Sequence, residues 1–146
     1  MHLHARKSGL VPDLSRLSEV TVRVAVPFFG GFLGALGVAI VSYVLGLIGV
    51  PQLVGLSPPT LTQQGLQNIS WGGAMWGFIP ALFLIARKGN IYLISLLTVI
   101  IAVTYGIFVL QGLPLALTSG VIYRYIVNLT YAVILALTIR ASGLSK

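Results

Sequence analysis

Apolar residues in this chain run on in four long stretches, rather than alternating with polar ones at the period of a half-buried helix or strand. The first, VAVPFFGGFLGALGVAIVSYVLGLI, covers about 24–48, and the second, NISWGGAMWGFIPALFLIA, about 68–86. The third runs over about 91–110 and the fourth over about 119–139. Each is long enough to cross roughly 30 Å of hydrocarbon at about 1.5 Å per residue. The expected fold is therefore an all-α integral membrane protein, its four transmembrane helices forming an antiparallel bundle. The tight ARKGN connection makes the second and third helices neighbours.

What lies between the stretches sharpens this outline. Residues 1–23 form the one extended polar segment, expected as a cytoplasmic arm ahead of the transmembrane domain at 24–140 and a tail at 141–146. Leu10, Leu14 and Leu17 share a helical face there, which predicts a short amphipathic helix at the headgroup level, with a partly ordered tail as the alternative. The arm lacks the short apolar core and cleavage site of a signal peptide. Residues 49–67 are uncharged and broken by Gly49, Pro51, Gly55 and Pro58-Pro59, which predicts a loop. Pro27 falls in the first turn of the first predicted helix, where a missing N–H costs little, whereas Pro80 falls mid-helix and predicts a kink. Gly30, Gly34 and Gly37 make one smooth ridge and Gly73, Gly77 and Ala81 another, both suited to close helix packing within the chain or against another.

Composition then excludes most chemistry. With 57% hydrophobic and 8% charged residues, a soluble globular domain is not expected. The net charge of +7 comes from cations grouped around the apolar stretches, so it reads as topology and not as nucleic-acid binding. The N-terminal arm, Arg87-Lys88, and Arg140 with Lys146 share one side if there are four spans, which places both termini in the cytoplasm. The stretch WGGAMWGF has the general look of short bacterial membrane proteins, and the inner membrane is the expected location. There is no cysteine, and the stretches hold no His, Asp, Glu or Lys. Metal sites, histidine-ligated cofactors, proton relays and nucleophilic catalysis are therefore not expected, and His2 and His4 lack a third ligand. No cofactor and no enzymatic activity are predicted.

One cation breaks the topology pattern. Arg124 stands between Tyr123 and Tyr125 at the outer end of the fourth stretch, about 24 Å before Arg140 along a helix. It shares a face with Asn128 and Tyr131, while Ser95, Thr98 and Tyr105 make a polar stripe on the third helix. These six residues are expected to meet, since polar groups in lipid seek partners. Asp13 and Glu19, the only acids, belong to the opposite side. The guanidinium must be neutralised by lipid phosphate, a bound anion, a partner's carboxylate or water.

Three functional readings follow. The first is an accessory or assembly subunit packing against another membrane protein, supported by the small-residue ridges. The second is a small homo-oligomeric transporter or channel, limited to uniport or an anion path because no proton-carrying side chain lies in the spans. The third is binding of a lipid or quinone by the aromatics and Arg124.

Overall fold

The structure is a computed structural model that describes residues 14–86, 89–114 and 116–144. Its elements are helices: α1 (Leu14–Leu47), α2 (Val50–Leu53), α3 (Gln63–Trp76), α4 (Phe78–Ile85), α5 (Ile91–Thr104), a π-helical continuation of α5 (Tyr105–Leu110) and α6 (Ser119–Ala141). No strand occurs among the described residues. Four helical stretches are long and apolar enough to cross a membrane: Arg16–Leu47, Gln63–Ile85, Ile91–Leu110 and Ser119–Ala141. His2, His4, Leu10, Asp13, Arg87, Lys88 and Lys146 lie outside the described residues.

Helix starts are fixed by short polar side chains that accept the orphan N–H groups of a first turn. Thr62 accepts from the Gly65 N–H at 3.0 Å. Asn90 accepts from Tyr92 and Leu93 at 2.9 and 3.4 Å, and Thr118 from Val121 at 3.3 Å. The cap at Thr62 begins the second apolar helix five residues before the expected Asn68. Residues 49–67 are correspondingly not all loop, since they contain α2 and the first turn of α3.

The first helix also differs from expectation. Residues 14–23 are helical but continuous with the apolar stretch, so they do not form a separate segment. Glu19 and Arg23 explain the continuity: at i and i+4 they pair on one face at 2.8 Å, which supports helix through the polar run. Pro27 is therefore inside α1 and not in its first turn. It leaves the Arg23 carbonyl without its usual donor. The Arg23 side chain meanwhile donates to the Leu84 carbonyl at 2.6 Å, satisfying an acceptor in the last turn of α4.

The second apolar helix breaks where the proline was expected to act. Pro80 cannot donate to the carbonyl four residues back, and α3 gives way to α4 at Gly77. There the Gly77 N–H turns to the Ala74 carbonyl at 2.9 Å, leaving the Gly73 carbonyl without its helical partner.

α1 is the centre of the assembly, packing on α3 and α4 along one side and on α6 along another, while α5 packs on α6. Both small-residue ridges are filled by this chain. Gly30 faces Leu135 and Thr138, Gly34 faces the Tyr131 ring, and Gly37 faces Ile134. Gly73 meets Gly31 and Ala35, Gly77 meets Pro27 and Phe28, and Ala81 is buried. Leu135, Ile139, Val99 and Thr98 are fully enclosed in the core where α5 meets α6, while a shallow apolar groove lined by Leu96 and Val133 runs between the same two helices.

Candidate functional site

Above that sealed core the helices diverge around a cavity of about 280 Å³. Ala35 and Val38 of α1 form its back, and Ile69, Gly72, Gly73 and Trp76 of α3 one wall. Val99, Ala102 and Val103 of α5, with Gly106 and Ile107 of the π segment, form the opposite wall. Tyr131, Asn128 and Arg124 of α6, joined by Gln111, supply its polar side.

The polar groups are arranged in a sequence of depth. Tyr131 lies deepest, buried, its hydroxyl donating to the Gly73 carbonyl at 2.6 Å. This is the carbonyl released by the break at Gly77, so the tyrosine replaces a lost backbone bond. Asn128 stands one turn nearer the N-terminal end of α6, its Nδ2 donating to the Arg124 carbonyl at 2.8 Å and its Oδ1 without a partner among the described residues. At the rim the Arg124 guanidinium donates through Nη1 to Oε1 of Gln111. A neutral amide supplies no counter-charge, and the one acid among the described residues, Glu19, is paired with Arg23 of α1. Among the described residues the remaining guanidinium donors and the Gln111 amide have no side-chain partner, which suits them to an oxygen-bearing ligand.

The six polar residues singled out from the sequence thus divide. Arg124, Asn128 and Tyr131 come together on the cavity, whereas Tyr105, Thr98 and Ser95 do not line it. Tyr105 is exposed and sets its ring edge-to-face on Trp76, centroids 5.8 Å apart. The Thr98 hydroxyl donates back to the Ile94 carbonyl at 2.8 Å, and buried Ser95 has no hydrogen-bond partner among the described residues. The two stripes do not pair because the α6 stripe turns toward α1 and α3. Two side-chain bonds join α5 to α6 instead: Arg140 donates to the Tyr92 hydroxyl, and Thr104 and Tyr125 form a hydroxyl pair at 2.7 Å. Thr104 uses its own proton on the Ile100 carbonyl at 2.6 Å, so Tyr125 is the donor.

Two contributors escaped the sequence reading. Gln111 is the lone amide in the break between the third and fourth apolar stretches, and that isolation was its only signal. The π segment has no sequence mark beyond Gly106, although a wide turn of this kind recurs at functional sites. Asn128 also plays a different part from a bridge between the third and fourth helices. Its bond stays within α6, so Asn128→Leu should shift stability by no more than about 0.5 kcal/mol, as checked by thermal unfolding in detergent.

No cluster of metal-ligating side chains occurs among the described residues. No known protein family, curated protein or solved structure matches this chain.

Proposed function

We propose that the chain is an integral membrane protein, an antiparallel four-helix bundle, that holds a small anion-bearing ligand in the cavity rimmed by Arg124. The bundle reading is supported by the pairings: Gly30 meets α6 at Leu135 and Thr138, and Gly34 and Gly37 meet it at lower numbers, Tyr131, Ile134 and Thr130, as Pro27 to Ala35 of α1 meet Gly77 to Gly73. At about 1.5 Å per residue, even the shortest of the four helices, 20 residues, matches a core about 30 Å thick. Arg23 beside Leu84 and Arg140 bonded to Tyr92 stand at one end, and Arg124 at the other. That asymmetry supports an inner, cytoplasmic side for the termini of a protein in the bacterial plasma membrane.

The carrying observation is a cation at the mouth of a cavity with no acid beside it among the described residues. A cavity of about 280 Å³ lies at the lower edge of the roughly 300–1,000 Å³ typical of small-molecule sites, with mostly apolar walls and few convergent polar groups. Retention fits this shape better than conduction, because the opposite half is closed by the fully buried Leu135 and Ile139. The ridges that would favour an accessory subunit are occupied from within the chain, which leaves the cavity as the distinctive feature.

The test is ligand-linked stability. In neutral detergent, hexanoate near 100 times its Kd should stabilise the protein by about 2.7 kcal/mol. Hexylammonium, of equal length and opposite charge, should not. Arg124→Gln should abolish the hexanoate shift while leaving the unliganded melting point near that of wild type. Equal shifts with both probes, or a shift that survives in Arg124→Gln, would remove the basis for the reading.

A further inference from the structure

The cavity has a side door. α3 packs on α1 and α4 but makes no extended contact with α5 or its π segment, so the two cavity walls are separated by a cleft. Both lips of that cleft carry glycine: a Cβ added at Gly72 or at Gly106 would meet nothing within 4 Å. Elsewhere in the helix interfaces the glycines do the opposite work, since a Cβ at Gly31, Gly34, Gly73 or Gly77 would fall within 3 Å of a neighbour. Gly72 and Gly106 are thus not needed for packing, and their effect is to keep the cleft open. Trp76 and Tyr105 close one end of it edge-to-face, and Gln111 with Arg124 marks the other. If the four apolar helices span the membrane as proposed, a cleft between two of them opens toward lipid, not water.

We infer that the ligand enters from the bilayer through the Gly72–Gly106 cleft and is a single-chain amphipath with a carboxylate head, such as a long-chain fatty acid, whose head displaces Gln111 from Arg124. This inference rests on the reading of the cavity as an anion-ligand site. The carboxylate follows from the guanidinium, whose planar fork matches two carboxylate oxygens, with Gln111 Oε1 already occupying one of the positions. Asn128 Oδ1 stands one turn below, where it can accept from a water that hydrates the head. The single chain follows from size. A cavity of about 280 Å³ has no room for two acyl chains, while the glycine-lipped cleft lets one chain pass between α3 and the π segment and remain in lipid.

Trp76 lines the cavity and can report on it, because the chain has only one other tryptophan, Trp71, which is exposed. In a Trp71→Phe background, reconstituted in phosphatidylcholine nanodiscs, Trp76 fluorescence is measured against added dibromostearate and against phosphatidylcholine brominated at the same chain positions. With a charge-assisted pair at the head, dibromostearate should quench about ten-fold more efficiently per bromine than the brominated phospholipid. Arg124→Gln should bring the two to equality, and Gly106→Leu, which fills the cleft without a clash at Cβ, should do the same while the rim is intact. Equal quenching by both lipids in the wild-type rim would overturn the inference. So would preferential quenching by brominated phosphatidic acid, which would assign the head to a phosphate. If hexanoate stabilises the protein in detergent but dibromostearate does not quench, the anion site stands and the lateral route fails. If neither acts, the anion site fails with it.

Discussion

Gly77→Val is expected to prevent accumulation of a folded, monodisperse protein. Gly77 has ordinary right-handed helical angles, φ −60° and ψ −14°, so the substitution meets no backbone penalty of its own. The obstacle is α1: a Cβ at this position would fall 2.7 Å from the Pro27 carbonyl carbon and 2.8 Å from the Phe28 Cα. Both are backbone atoms of a long helix and cannot rotate aside. Separating α1 from the α3–α4 junction would forfeit the Gly31–Gly73 approach and the Arg23 bond to Leu84, so a loss of about 4 kcal/mol or more is expected. Size-exclusion profiles and thermal unfolding in mild detergent measure it. Gly72→Ala, where nothing lies within 4 Å, is the control and should stay within about 0.5 kcal/mol. Two glycines five positions apart would then differ by several kcal/mol in stability; similar melting points for the two variants would contradict the packing described.

The second large effect is expected at Tyr131→Phe. The change removes one oxygen and keeps the ring that packs on Gly34, so it isolates the hydrogen bond to the Gly73 carbonyl. That carbonyl has lost the Gly77 N–H to Ala74 and is buried among apolar side chains. An orphaned buried acceptor costs about 1–3 kcal/mol. Thr138→Val is the comparison, because the Thr138 hydroxyl bonds only within its own helix, at 2.8 Å to the Ile134 carbonyl. It should be nearly neutral in the same unfolding assay. A Tyr131→Phe variant as stable as wild type would mean that water or another donor serves Gly73.

How much of this was legible in the sequence differs from element to element. Four uninterrupted apolar runs are visible to hydropathy alone, and Asn90 and Thr118 mark the starts of α5 and α6 in the expected places. Hydropathy fails at Leu14 and Gln63 because both helices begin in polar sequence. The Glu19–Arg23 spacing and the Thr62 cap are local signals that apolar counting ignores. For the site, the shared face of Arg124, Asn128 and Tyr131 follows from helical periodicity, but what it faces does not. The direction of Tyr131 is decided by a backbone acceptor that exists only because α3 breaks at Gly77, 54 positions earlier in the chain. The pairing of Arg124 with Gln111 depends on where the π segment ends, which no periodic pattern encodes.

The contact between α1 and α6 also sets an order on biogenesis. α1 emerges from the ribosome first of the described helices, yet its Gly30, Gly34 and Gly37 face is covered only by the last, and the Gly73 carbonyl waits for Tyr131. Until α6 arrives, a nascent chain that has completed α5 holds a grooved α1 and an unpaired backbone acceptor at the Gly77 break. Such high-separation contacts close late and slowly. A chain stalled before residue 119 should therefore be the species that quality-control proteases and chaperones engage, and release of α6 the step that ends their access.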